Sequence, residues 1–151
     1  MALVYMDNYN KAYVQRPTVK IAPGEVNGEI KFAYDEITLT AEVANADVLK
    51  TSLRVTKGAK IISAGIFVPT ALGAGTFALG RTAIGAVAAD PDSLIAATSF
   101  ASAGIARESA ASVDLLLDIV EDEVMFDLTC SVATTSGTGK KIKVWITWCD
   151  V

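Results

Sequence analysis

The stretch GTFALGRT, residues 75–82, decides the fold. As a pattern it is Gly75, four residues, Gly80, then Arg81 and Thr82, one substitution from the G-x-x-x-x-G-K-[ST] loop that cradles nucleotide phosphates. Read that way, the chain is an α/β nucleotide-binding enzyme. Read as a turn and then a short strand, it is all-β. A phosphate loop leaves a buried strand directly and feeds a helix, so that backbone N–H groups and the helix N-terminus converge on the anion. Here the preceding apolar run ends near Val68, Pro69 to Ala74 intervene, and Gly80 interrupts any helix beyond them. Arg81 also replaces a compact ammonium with a broad planar fork. The overlapping pattern Gly73, Gly75, Ala78 matches a dinucleotide fingerprint, but that too needs a helix through TFALGRTAI. The stretch is therefore expected to turn at Gly75, run as the short strand TFAL and stop at Gly80.

Working outward, side chains alternate with a period of two. In ITLTAEV, residues 37–43, Ile37, Leu39, Ala41 and Val43 oppose Thr38, Thr40 and Glu42, the pattern of a half-buried strand. Residues 49–55 repeat it, with Leu49, Thr51, Leu53 and Val55 against Lys50, Ser52 and Arg54. KIISAGIFV, residues 60–68, is apolar on both parities and reads as a strand covered on both sides. Three further segments alternate: VDLLLDIV at 113–120, VMFDLTCSV at 124–132, and KIKVWITW at 141–148. The acidic turn Glu121-Asp122-Glu123 and the loop TTSGTGK, 134–140, are of hairpin length and predict that these three form an antiparallel meander. Only DPDSLIAATSF has helix-start chemistry, with Asp90 as N-cap, Pro91 at the first helical position and Asp92 in the first turn. It predicts a helical turn near 91–98. FASAGIARESAAS, 100–112, reads as a surface connection. The whole describes an all-β antiparallel sandwich, jelly-roll-like, of about seven or eight strands with one short helical turn.

Composition narrows the function. The chain has 151 residues, room for one domain with a real core. It is 52% hydrophobic with a mean hydropathy of +0.41, yet no apolar run approaches the roughly 20 residues of a membrane helix. Apolar side chains in such excess favour subunit contacts, hence a homo-oligomer. A net charge of −4 with scattered basic residues disfavours nucleic acid. The absence of histidine removes the commonest proton-transfer side chain and a common metal ligand. Asp90 and Asp92 are explained by capping and Glu121, Asp122 and Glu123 by a solvated turn. No metal site, cofactor site, paired-carboxylate arrangement or nucleophile–base pair is indicated. Of the two cysteines, Cys130 lies on an apolar parity and reads as a small buried hydrophobe. The first residues, MALVYMDNYN, carry an acid at position 7 and lack the layout of a secretory signal.

Residues 1–30 differ from the rest of the chain. Pro17, Pro23, Gly24 and Gly28 punctuate them, and Tyr5, Tyr9 and Tyr13 recur every four residues. One reading is a tail or a first irregular strand. The other is an arm lying on a neighbouring molecule, with the tyrosines and Arg16 as partner contacts, preceding a β-sandwich domain at 31–151. Trp145, on the polar parity of its strand, is the remaining candidate for a partner contact.

Residues 54–105 resemble a known family. Gly58-Ala59-Lys60 opens a long buried strand, Leu72-Gly73-Ala74 leads into Thr76 to Gly80, and an Asp-rich turn precedes Leu94-Ile95-Ala96-Ala97. This order is similar to that of the small β-sandwich proteins that decorate or cement the heads of tailed bacteriophages. The resemblance implies a trimer of jelly-roll sandwiches at three-fold or quasi-three-fold positions on the capsid exterior. Such a trimer would bind the major capsid protein and be assembled in the host cytoplasm, with no enzymatic activity. The alternative is a receptor- or glycan-binding knob of a tail fibre or head fibre, for which Trp145 is the exposed aromatic candidate.

Overall fold

VMFDLTCSV forms a strand over its whole length because its alternation suits a two-sided environment. Val124, Phe126, Leu128 and Cys130 are buried, while Met125 and Thr129 are half-covered. KIKVWITWCD behaves likewise, burying Ile142, Val144, Ile146 and Trp148. A computed structural model of the chain describes residues 29–83, 88–108 and 120–150, and these comprise nine strands and no helix. They are β1 (Ile30–Thr38), β2 (Val48–Leu49), β3 (Arg54–Val55), β4 (Ala59–Val68), β5 (Thr76–Arg81), β6 (Asp90–Ser99), β7 (Gly104–Arg107), β8 (Val124–Val132) and β9 (Lys141–Asp150).

All pairings are antiparallel. One sheet has the order β1-β9-β4-β7, and the other β2-β8-β5-β6 with β3 also on β8. Both sheets contribute to a single apolar core, with Ile61, Ala64, Ile66, Val144 and Ile146 from the first and Phe77, Leu79, Ile95, Phe126 and Leu128 from the second. Phe100 closes one side of it, its ring centroid 6.4 Å from that of Phe77.

GTFALGRT is a turn and a strand, but Gly80 does not stop the strand: β5 continues to Arg81. Gly75 holds the turn with φ +115, a conformation that costs glycine little. Gly80 has another task. A Cβ there would come within 2.2 Å of the Asp90 carbonyl oxygen and 2.5 Å of the Asp92 nitrogen, because the start of β6 crosses directly over it. Arg81 then pairs with Asp90, and Thr82 donates to Asp127.

That crossing explains why DPDSLIAATS is not a helical turn. Asp90–Ser99 is β6, paired along β5 with Leu79 opposite Ile95 and Phe77 opposite Thr98. Its Leu94 and Ile95 enter the core. Asp90 binds Arg81 rather than capping a helix. Pro91 sits at the second residue of an edge strand, the kind of position at which a sheet tolerates a residue without an N–H.

Other expectations are also corrected. Residues 39–43 leave the ladder after Thr38 because the Glu42 carboxylate turns to accept hydrogen bonds from the Thr134 hydroxyl (2.6 Å), the Gly137 N–H (2.7 Å) and both groups of Thr138. Leu39 and Val43 stay buried, but Ala41 is exposed. Between β2 and β3 the alternation of residues 49–55 survives without a ladder: the Asp127 carboxylate takes the Thr51 N–H (3.0 Å) and Lys50 (2.7 Å). β4 is not covered on both faces, since Ile62 is exposed and Phe67 only half-buried. In 100–108, expected as surface, Phe100 is buried and Gly104–Arg107 pairs with β4. Val132, expected on the buried parity, is exposed.

The meander is the largest correction. β8 and β9 lie in different sheets, so the loop between them crosses the core edge instead of closing a hairpin. Side-chain and backbone bonds hold it there. The Thr134 N–H reaches the Val43 carbonyl at 3.0 Å, its hydroxyl accepts the Val43 N–H at 2.9 Å, and the Ser136 N–H donates to the Leu72 carbonyl at 3.0 Å. The segment expected as a strand at 113–120 lies outside the described residues except for buried Val120. Cys130 is fully buried and unbridged, and burial pushes its thiol pKa up.

Candidate assembly surface

The outer face of β1-β9-β4-β7 departs from the usual apolar-in, polar-out rule. Ile37 and Ala33 pack against the core, so strand parity sends Ile30, Phe32 and Tyr34 outward, where they are 68%, 63% and 48% exposed. The remaining core-side positions of β1 hold Lys31 and Asp35, and both are satisfied at the sheet edge. Lys31 pairs with Asp150. Asp35 accepts the Ser52 N–H at 2.7 Å and the Ser52 hydroxyl at 3.0 Å.

Register then assembles a row across all four strands: Tyr34 opposite Trp145, Trp145 opposite Gly65, Gly65 opposite Arg107. The indole of Trp145 lies over Gly65, where an added Cβ would sit 2.0 Å from its Cζ2. The Arg107 guanidinium carbon is 5.8 Å from the Trp145 ring centroid, within cation–π range. One row away lie Glu36, Lys143, Phe67 and Ile105. Glu36 accepts from Lys141, from Lys143 at 3.3 Å and from the Tyr34 hydroxyl at 3.1 Å. The bond from Lys141 is the main cause that holds its pKa down at about 2. On the other side, Phe32, Thr147 and Ser63 form a row, and the irregularity between Ile61 and Ser63 leaves Ile62 exposed.

This face is broad, aromatic and apolar with an ionic corner at Glu36. Exposed aromatic and branched side chains gain by being covered, so a face of this chemistry can bury area against another apolar surface. A shallow depression of about 250 Å³ lined by residues 37–43, Asp47 and Leu49 offers less. Its one perturbed acid, Glu42, is engaged by Thr134 first and by Gly137 and Thr138, which hold its pKa at about 2. Among the described residues no group of three or more His, Cys, Asp or Glu side chains is placed to hold a metal ion.

Of the residues singled out in the sequence, Tyr5, Tyr9, Tyr13 and Arg16 lie outside the described residues. Trp145 lies at the centre of the outer face, half-buried. Sequence reasoning missed Ile30, Phe32, Tyr34, Ile105 and Arg107. The signal for three of them was present: extending the Ile37 parity backward puts Ala33 inside and Ile30, Phe32 and Tyr34 outside.

No protein-family model and no curated protein matches this chain. Solved structures do. A chain in the cyanophage Pam1 capsid asymmetric unit superposes with a TM-score of 0.64 at 15% identity, covering 92% of this chain and 99% of that one. A chain in the capsid of Ralstonia phage GP4 gives 0.61 at 19% identity, over 82% and 86%. A chain in the acidic stable capsid structure of Helicobacter pylori bacteriophage KHP30 gives 0.56 at 10%, over 80% and 86%. At these identities the likeness is one of fold: the chain shares its two-sheet fold with chains found in three bacteriophage capsids.

Proposed function

We propose that the chain is a structural, non-enzymatic protein of a bacteriophage virion that decorates and cements the capsid exterior as a homotrimer. The observation that carries the reading is that all three matching structures are phage capsids, matched over most of both chains. The matched chains are therefore of about this length rather than fragments of much larger ones. Strand order supports a jelly roll: with β1-β9-β4-β7 against β2-β8-β5-β6, the chain passes back and forth between two sheets, as interleaved Greek keys do.

On this reading the protein binds the major capsid protein after assembly in the host cytoplasm. An arm at residues 1–30 would precede a sandwich domain at 31–151, with Tyr5, Tyr9, Tyr13, Arg16 and Trp145 as partner contacts. Many weak contacts repeated over a lattice suffice for stable attachment. The test is to mix the purified protein with capsids lacking it, and separately with host cells and a glycan array. Saturable binding to capsids, with a raised temperature of capsid disruption, is expected. Binding to cells or glycans and none to capsids would reject the reading.

A further inference from the structure

We infer that the outer face of β1-β9-β4-β7 is the contact between copies of this chain, and that it meets a different, acidic surface of the next copy rather than its own counterpart. The inference rests on the oligomer named in the proposed function and gives that oligomer a face and a polarity. Area is the first support. Ile105 is 56% and Ile62 37% exposed beside Ile30, Phe32 and Tyr34. The uncovered parts of these five side chains amount to roughly 500 Å², taking about 200 Å² for a large side chain. A specific contact takes about 800 Å² from each partner. The five supply more than half of that, and the half-buried Phe67, Trp145 and Thr147 lie among them. Trp145 keeps its place as a partner contact, the partner being the next copy.

Charge selects the occupant. On the outward positions of the four strands, Lys60, Arg107, Lys141 and Lys143 outnumber the single carboxylate Glu36, which Lys141 and Lys143 share. The face is therefore three charges positive on a chain whose net charge is −4, so acidic groups predominate on the remainder. Asp47, Asp92 and Glu121 are exposed there. Two such faces brought together repel, whereas the face of one copy and the acidic remainder of the next attract. Unlike surfaces make a head-to-tail contact, which closes into a ring when its rotation divides the full turn, as in a trimer. Pairing through the edge of β1 is opposed by Lys31 and Asp35, since charged groups on the inward positions of an edge strand blunt it against further strands.

The experiment measures mass by sedimentation equilibrium on capsid-free protein, so its outcome is separate from that of capsid binding. At micromolar concentration the native chain should run at three times its 15.8 kDa, and the variant F32D/I105D at 15.8 kDa. Both substitutions fall on exposed side chains outside the buried core, and cooperative urea unfolding checks that the variant is folded. A second variant, R107E, keeps the apolar face and should weaken association about tenfold, with the loss shrinking as salt is raised. A native mass of one chain or two, or an undiminished mass in F32D/I105D, would overturn the inference. So would R107E associating as tightly as the native chain. Polarity is read by mixing: tagged F32D/I105D retains its acidic surface and should capture the native chain through the latter's intact face. Failure to capture it would assign a self-matching contact and overturn the head-to-tail arrangement. A native monomer that still binds capsids would sink this inference alone, and a trimer with no affinity for capsids would sink only the capsid reading.

Discussion

Replacing Gly65 by alanine tests the construction of the outer face directly. The new Cβ would lie 2.0 Å from Cζ2, 2.2 Å from Cη2 and 2.5 Å from Cε2 of Trp145. All three are atoms of one side chain and none is backbone, so the indole must swing off β4 and away from Arg107. A half-buried tryptophan keeps on the order of 100 Å² under cover, about 2.5 kcal/mol at 25 cal/mol per Å² if all of it were lost. A new rotamer recovers part of that. Loss of the Arg107 contact adds about 0.5–1 kcal/mol, and alanine returns about 0.4–1 kcal/mol by restricting the unfolded chain. The net expectation is a loss of about 1–2 kcal/mol, seen in urea unfolding as a lower midpoint. For a chain of this size it corresponds to a melting temperature lower by about 3–6 °C. The decisive measurement is the double-mutant cycle with W145A. In that background G65A should be neutral or slightly stabilising, because nothing remains for the methyl group to displace. An undiminished loss in the W145A background would refute the reasoning and show that Gly65 serves some other contact.

Three further expectations rest on the same geometry. Gly80→Ala meets backbone atoms of Asp90, Pro91 and Asp92 within 2.5 Å, so β6 must move as a unit. It should cost about 3 kcal/mol or more, whereas G104A, with nothing within 4 Å, should change the urea midpoint little. Ala46 holds φ +69, a left-handed conformation that costs a side-chain-bearing residue about 1 kcal/mol; A46G should therefore raise thermal stability slightly, and a fall would contradict the strain. Glu42 has a folded pKa of about 2 against an ordinary 4.5, so its contribution is complete above pH 4.5 and is lost as pH falls through 2. E42Q should be less stable than the native chain at pH 7, and the gap measured by denaturant unfolding should narrow between pH 4.5 and 2. A gap that persists unchanged at pH 2 would mean the carboxylate charge is not what holds the 134–138 loop.

The candidate surface was legible in one residue. Trp145 stood out because an indole on a strand's polar parity is an unpartnered apolar group, and that inference needs no partner strand. Gly65 and Arg107 were invisible beside it. They lie 80 and 38 positions away along the chain and meet the indole only through the β9–β4 and β4–β7 registers. Phe32 and Tyr34 were half-legible, since their direction is set by Ile37 once β1 is known to be continuous back to Ile30. The helical turn at Asp90-Pro91 failed for a related reason. Capping chemistry is a local preference worth about 1 kcal/mol, and burial of Leu94 and Ile95 beside Leu79 outweighs it.

By itself the sequence determined that the long segments 60–68, 124–132 and 141–148 are strands. It also determined which side of β8 and β9 is buried, and that the Gly75 stretch is a turn and strand rather than a phosphate loop. Those properties depend on the two-residue repeat of an extended backbone and on the local demands of glycine and proline. Tertiary structure alone decided that β8 and β9 part into different sheets, that β6 crosses Gly80, and that Asp127 and Glu42 interrupt ladders the alternation would have continued. It also decided that Tyr34, Trp145 and Arg107 share one face. Each of these depends on contacts between residues remote in sequence, whose energies of burial and charge-assisted hydrogen bonding outweigh the small local preferences that a linear reading can see.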